Sequence, residues 1–337
     1  MNPGGVLRQV ALRLEREGAS SYRVRAFRRA AAVIERLSRE ELERRAAEGT
    51  LTELSGIGQT TAGVVVDALA GREPAYLTEV VGSAGNLPEG GELLAALRGD
   101  CHTHSDWSDG GGSVDEMAEA ARVLGHEYLV LTDHSPRLAV ARGLSADRLR
   151  RQLDVVAELN AAYASEGTPF RVLTGIEVDI LDDGSLDQEP ELLAELDLVV
   201  ASVHSHLRMD SRRMTGRMVA AVSNPNVDVL GHCTGRLVTG RGRPASEFDA
   251  DAVFEACREH DVAVEINSRP ERLDPPRRLL SRARELGCRF AVDTDAHAPG
   301  QLGWQPYGCA RALDCGVAVG DVVNTLPAAR LLEWTRR

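Results

Sequence analysis

Hydrophobic positions change their period once along the chain. Up to residue 81 they recur every three or four positions. Val6, Leu7, Val10, Ala11 and Leu14 share one helical face, and Val24, Phe27, Ala31 and Ile34 repeat it after a break at 18–21. A third, strongly charged helix is predicted around 39–47. Residues 51–69 then read as a short helical turn, the sequence Ser55-Gly56-Ile57-Gly58, and a helix over 60–70. A Gly-rich stretch, GSAGNLPEGG at 82–91, reads as a linker. From residue 99 the pattern is different. Short apolar, β-branched runs at 99–102, 128–132, 170–178, 196–203, 227–231, 262–266 and 290–294 alternate with amphipathic stretches at 114–124, 146–165, 189–195, 211–223, 249–260 and 276–287. This alternation predicts an α/β fold, a parallel sheet covered by helices and either open or closed into a barrel. The expected domains are therefore a helical one over 1–81, a linker over 82–98 and an α/β domain over 99–337.

Composition adds limits. The 337 residues are 43% hydrophobic and 27% charged, which is globular rather than disordered. No apolar run approaches the roughly 18 residues that span a bilayer, and the opening MNPGGVLRQV has no apolar h-region, so neither a membrane nor a secretory leader is expected. Six cysteines are scattered without a C-x-x-C pair, which predicts reduced thiols in a cytoplasm. All 39 basic residues are Arg, which removes every lysine-based chemistry. The net charge of -12 falls entirely on 99–337, whereas residues 1–37 hold 8 Arg against 3 Glu. A basic segment on an acidic chain suits contact with a polyanion.

The histidines fall where the predicted strands end. The first run closes on His102-Thr-His104 with Asp109 behind it, the second on Asp133-His134, and the third on Glu177. The fourth closes on His204-Ser-His206, the fifth on His232 and the seventh on Asp295-Ala-His297. In parallel α/β folds those ends form one face, the usual place of an active site. Seven of the nine histidines would meet there, His126 and His260 being the exceptions. Imidazoles mixed with carboxylates, without thiolates, suit Zn²⁺, Mn²⁺ or Fe²⁺. They exceed the needs of one four-coordinate ion and so imply a multinuclear cluster.

The strings HTHSDWSDG, LTDHS, GIEVDI, SVHSH, GHCTGRL, EINSRPERLD and DTDAH resemble the ordered motifs of the polymerase-and-histidinol-phosphatase (PHP) superfamily. That resemblance implies a distorted (βα)7 barrel and three divalent metal ions. His102, His104, Glu177 and Asp295 would hold the first, Glu177, His204 and His232 the second, and Asp109, His134 and His297 the third. Asp109, GHCTGRL and EINSRPERLD look most like the PHP domain of bacterial family X DNA polymerases. The stretches GASSYRVRAFRRAAAVIERL and GTLTELSGIGQTTAGVVVDAL are similar to the N-terminal helix-hairpin-helix domain of those polymerases. There Gly56 and Gly58 would bring bare backbone to a DNA phosphate, with Arg23, Arg25, Arg28 and Arg29 attracting the polyanion. The chain departs from those relatives in having no room for a polymerase palm before His102 and no lysine for Schiff-base lyase chemistry.

The expected reaction is hydrolysis of a phosphate ester by a metal-activated hydroxide. Arg236, Arg269 and Arg272 would grip the phosphate, and His206 would protonate the leaving oxygen or prop a ligand. The expected substrate is a DNA end, by 3′–5′ exonuclease, 3′-phosphatase or abasic-site endonuclease action. A small-molecule phosphatase such as histidinol phosphatase is the alternative, and a non-catalytic DNA-binding adaptor a third reading. The sequence leaves oligomeric state open.

Overall fold

The computed structural model describes residues 1–78 and 87–336. The chain divides into two compact units, Met1–Asn86 and Leu87–Arg337.

The core of the first unit is formed by the helices α1 (Pro3–Arg16), α2 (Ser21–Ile34), α3 (Arg39–Glu48) and α4 (Gln59–Leu69). Local chemistry sets their ends. The Asn2 side chain accepts from Gly4 N at 3.2 Å, and Pro3 stands in the first turn, where its missing N–H costs nothing. Ser38 caps α3, and Gly49 closes it in the left-handed region at φ 71°. The predicted apolar faces of α1 and α2 meet α4 in one core containing Leu7, Val10, Leu14, Phe27, Ala31 and Val65.

The second unit is built on seven strands: β1 (Gly99–Thr103), β2 (Tyr128–Leu131), β3 (Arg171–Asp179), β4 (Leu198–Ser202), β5 (Val229–Leu230), β6 (Ala263–Asn267) and β7 (Phe290–Asp293). They lie in sequence order, and each pairs parallel with the next. Helices between them cover the outside, so most strand positions are buried on both faces and read as apolar runs. Ser113, Ser145, Asp210 and Asp249 cap four of these helices with side-chain oxygens. β1 and β7 meet through single contacts. His104 N donates to Ala296 O at 2.8 Å, Cys101 N to Asp293 Oδ1 at 2.8 Å, and Thr294 Oγ1 to Asp100 Oδ2 at 2.6 Å. The barrel is thus nearly closed and distorted at that seam. Its lower interior is filled by Tyr128, Val130, Leu173, Leu198, Val200 and Val229, and Leu331, Leu332 and Trp334 plug the N-terminal end.

All seven expected strands are present, with β5 cut to two residues. The linker expected over 82–98 lies partly outside the described residues. Its second half belongs to the barrel unit, because a helix at Gly91–Ala96 buries Leu93 completely in the outer core. The flanking glycines concealed that short apolar turn.

Candidate metal centre

The C-terminal ends of the strands carry their side chains into one buried pocket of polar atoms. β1 supplies two histidines through an irregularity. Its register against β2 slips between Asp100 and Thr103, so Cys101 joins the apolar interior while His102 and His104 both reach Glu177 on β3. Beneath the centre β4 and the end of β5 pack closely. A Cβ on Gly231 would lie 2.2 Å from Ser202 Oγ, so a side chain there would push β4 and β5 apart.

Glu177 stands at the middle. Its Oε1 lies 2.9 Å from His232 Nε2, 3.2 Å from His204 Nε2 and 3.4 Å from His102 Nε2. Its Oε2 lies 2.8 Å from His134 Nδ1 and 3.6 Å from His104 Nε2. Asp295 Oδ1 is 3.4 Å from both His104 Nε2 and His297 Nδ1. Asp109 Oδ1 is 3.4 Å from His297 Nε2 and 3.5 Å from His134 Nε2. The structure therefore brings together all nine residues that the motifs pointed to.

Most of these atoms are buried and bonded to nothing. Among the described residues, His102 Nε2, both ring nitrogens of His104 and His232, His134 Nδ1, His204 Nε2 and both oxygens of Glu177 have no hydrogen-bond partner. Orphaned buried polar atoms are costly and rare, and a cluster of lone-pair donors facing one another is the arrangement that cations resolve. Three groups have ligand atoms within 4.8 Å of one another: His104, Asp109, His134 and His297; His102, His104 and Glu177; His134, Glu177 and His204. The imidazole and carboxylate donors fit divalent transition ions. His104 and His134 each belong to two groups, which blurs the one-ion assignments that the motifs implied.

Neighbouring charges tune the donors. Burial would raise the Glu177 carboxyl, but His204, His102 and His134 outweigh it and hold the group well below the usual carboxylate range. Burial likewise opposes the ionised Asp295, and Arg272 and Arg269 hold it well below that range. Burial, then the charges of His297 and His134, push His104 well down, toward the neutral imidazole that ligates.

An outer layer that sequence reasoning missed orients the rings. His102 Nδ1 bonds Glu265 Oε1 at 2.6 Å, and His204 Nδ1 bonds Asp179 Oδ1. Such carboxylate partners fix which nitrogen faces the metal. The available signal was strand alternation: Glu265 is a lone acid inside an apolar run, and Asp179 follows Glu177 by two.

The proposed phosphate and proton groups separate. Arg272 Nε donates to Asp295 Oδ2 at 2.9 Å, and Arg269 Nη1 lies 3.2 Å from His297 Nδ1, so both border the cluster. Arg236 does not, since it donates to the backbone carbonyls of Arg272 and Leu273 and braces that loop. His206 lies outside too. Its side chain is 67% exposed, and its Nδ1 bonds Asp182 at 2.7 Å on the rim of a cleft of about 520 Å³. We expect His206→Ala to keep the parent's metal content in elemental analysis; loss of metal would place His206 in the cluster.

In the helical unit, Gly58 begins α4 at φ -101°, and the left-handed residue of the turn is Gly56 at φ 101°. Gly58 N donates to Thr61 Oγ1 at 2.9 Å and so is not bare. Arg29 reaches Ser55 Oγ at 3.1 Å and lies over Gly56. Arg28 pairs with Glu15, Arg23 bonds Tyr76, and Arg25 is exposed.

Comparison with known proteins agrees with this anatomy. Residues 100–269 match the family model of the PHP domain, and residues 5–73 match a helix-hairpin-helix domain. The chain is 43% identical over 204 residues to the DNA polymerase/3′-5′ exonuclease PolX of Bacillus subtilis, covering 60% of this chain and 35% of that protein. The chain thus spans about a third of that relative. It is 30% identical over 237 residues to a probable phosphatase of Thermoanaerobacter sp. (strain X514), covering 67% of this chain and 89% of that one. A solved histidinol phosphate phosphatase from Lactococcus lactis, complexed with zinc, L-histidinol and phosphate, aligns with a TM-score of 0.47 at 19% identity over 66% of this chain and 95% of that chain. The chain belongs to the PHP family: it is a phosphoester hydrolase whose barrel is preceded by a helix-hairpin-helix domain.

Proposed function

We propose that the chain hydrolyses phosphate esters at the ends of DNA strands, using two or three divalent transition ions held by His102, His104, Asp109, His134, Glu177, His204, His232, Asp295 and His297. The observation that carries the DNA reading is the pairing, in one chain, of this donor cluster with a helix-hairpin-helix unit. The likeness to a polymerase/exonuclease over the barrel supports the same class of substrate.

When bound, the ions would lower the pKa of a water and neutralise charge on the phosphoryl oxygens. The chain's own groups do the rest. Glu177 and Asp295 supply the anionic charge that gathers the cations, and Glu265 and Asp179 hold His102 and His204 in ligating orientation. Arg269 is a quarter exposed beside His297, placed to donate to a phosphoryl oxygen as charge builds there. Arg272 holds Asp295. His206 is bonded through Nδ1 alone among the described residues, which leaves Nε2 to pass a proton to a leaving oxygen at the cleft rim.

A panel of Mn²⁺ and Zn²⁺ on labelled DNA, histidinol phosphate and p-nitrophenyl phosphate tests this. DNA-end cleavage with higher kcat/KM than either small ester is the expected result. Turnover of histidinol phosphate alone would replace the DNA reading by small-molecule phosphatase activity.

The helical unit has its own test. A Cβ on Gly58 meets nothing within 4 Å, and its φ is ordinary, so Gly58→Val should stay folded by circular dichroism. It should weaken DNA binding about equally for all sequences, because phosphate contacts position the duplex without reading bases. A folded variant with parental affinity would remove the turn from the DNA contact.

A further inference from the structure

The charge around the metal centre is lopsided. After β3, residues 179–189 (DILDDGSLDQE) carry five carboxylates and no basic residue. After β5, residues 231–243 (GHCTGRLVTGRGR) carry three arginines and no acid. This second segment folds back as a short hairpin. Leu237 N donates to Arg243 O and Arg243 N to Leu237 O, each at 2.9 Å, while Gly240 and Gly242 take φ of 65° and 66° in the turn. The hairpin is tied to the loop after β6, the loop of Arg269 and Arg272. Val238 N donates to Glu271 O at 2.7 Å, and Arg236 Nε to Arg272 O at 3.0 Å.

Two arginines of this hairpin have no carboxylate beside them, unlike the arginines that pair along the helices. Arg44 pairs with Glu41 and Glu48, and Arg282 with Asp251 and Glu285. Arg241, exposed at the turn, has no ion-pair partner among the described residues, and neither has Arg243. Arg243 Nε donates to Gly235 O at 2.6 Å, which fixes the side chain without neutralising it. Burial, then the like charge of Arg272, push the Arg243 guanidinium down. Arg272 Nη1 is itself buried without a hydrogen-bond partner among the described residues. A guanidinium without a carboxylate on the hairpin and an orphaned N–H on the loop tied to it are both stabilised by an anion.

We propose that the 237–243 hairpin is an arm for a polynucleotide strand. Arg243 and Arg272 hold the phosphodiester next to the one being hydrolysed, Arg241 holds the one beyond, and the strand leaves the metal centre over β5 and β6, away from the acidic loop after β3. The proposal rests on the phosphoesterase reading above and adds to it a substrate with at least two consecutive phosphates. An ester with a single phosphate reaches the metals but not the arm.

The test uses the full chain loaded with Mn²⁺ and compares kcat/KM on a single-stranded oligodeoxynucleotide with kcat/KM on p-nitrophenyl phosphate. In the Arg241→Gln/Arg243→Gln variant the ratio of the two should fall at least about 10-fold. The slope of log kcat/KM against log salt on the oligonucleotide should shrink by roughly 1.4, as expected for two lost phosphate contacts. A folding defect would lower both substrates together, so Arg241→Glu serves as the second variant. Arg241 is exposed and has no side-chain hydrogen bond or ion pair among the described residues, and reversing its charge should lower the ratio as well. A parental ratio and salt slope in Arg241→Glu, or a parent enzyme that hydrolyses p-nitrophenyl phosphate but not the oligonucleotide, would overturn the arm. A parent inactive on both substrates would overturn the metal-phosphoesterase reading instead.

Discussion

Glu177→Gln will strip the protein of most of its transition metal and lower p-nitrophenyl phosphate hydrolysis on the order of 10³-fold, the loss of several kcal/mol of metal-derived stabilisation at tenfold per 1.36 kcal/mol. Both Glu177 oxygens are buried and without hydrogen-bond partners, and five histidines have a ring nitrogen within 3.6 Å of them. Glutamine keeps the shape but turns one oxygen into an NH₂ donor, which faces ring nitrogens that should be donating electron pairs to a cation. Both the negative charge and one ligand atom are lost. Elemental analysis and steady-state rates on the same preparation check the result. Parental metal content in Glu177→Gln would show that the cluster is organised around another residue.

Asp133→Ala should destabilise the barrel by roughly 3 kcal/mol and weaken metal binding about 10–100-fold, although Asp133 is not among the nine donors. The carboxylate is buried after β2. It accepts Ser105 N at 2.9 Å, Ser105 Oγ at 2.6 Å, Ser108 N at 3.3 Å and Gln152 Nε2 at 2.6 Å, and also the Ser108 hydroxyl. It thereby pins the loop from Ser105 to Ser108, and Asp109 is the next residue. Alanine would leave those donors buried without an acceptor and free the loop that aims Asp109 at His134 and His297. A thermal midpoint lower by about 6–12 °C would follow for a unit of this size, and a Zn²⁺ titration would report the weakened site. Asp133→Asn keeps one acceptor oxygen and should fall between. A parental midpoint and affinity in Asp133→Ala would mean that the loop is held by other contacts, such as those from Arg142 and Arg148 to its carbonyls.

The barrel was legible because its strands are covered on both faces and so read as unbroken apolar runs, and because its donors sit where those runs stop. Alternation failed where the backbone leaves the strand. At His102 and His104 the two-residue spacing works, since β1 runs to Thr103 and His104 N still bonds Ala296. At His204 and His206 it does not. β4 ends at Ser202, and His206 takes φ 52°, so the second ring turns out to Asp182. Arg236 read as a phosphate grip by its place after β5, but nothing local foretold that the loop after β6 would offer its guanidinium backbone carbonyls. In the Ser55–Gly58 turn the glycine with left-handed backbone is Gly56, and composition alone could not distinguish it from Gly58. Asp179 and Glu265 were hidden because an acid in a strand declares its partner only when another strand end is brought beside it.

The most direct test of the metal-phosphoesterase account is the metal dependence of one preparation. Protein purified without chelator should carry about two to three transition-metal ions per chain. Stripping them with a chelator and dialysis should abolish p-nitrophenyl phosphate hydrolysis, and returning Mn²⁺ or Zn²⁺ should restore it. Hydrolysis that continues at the parental rate with the ions removed would contradict the account.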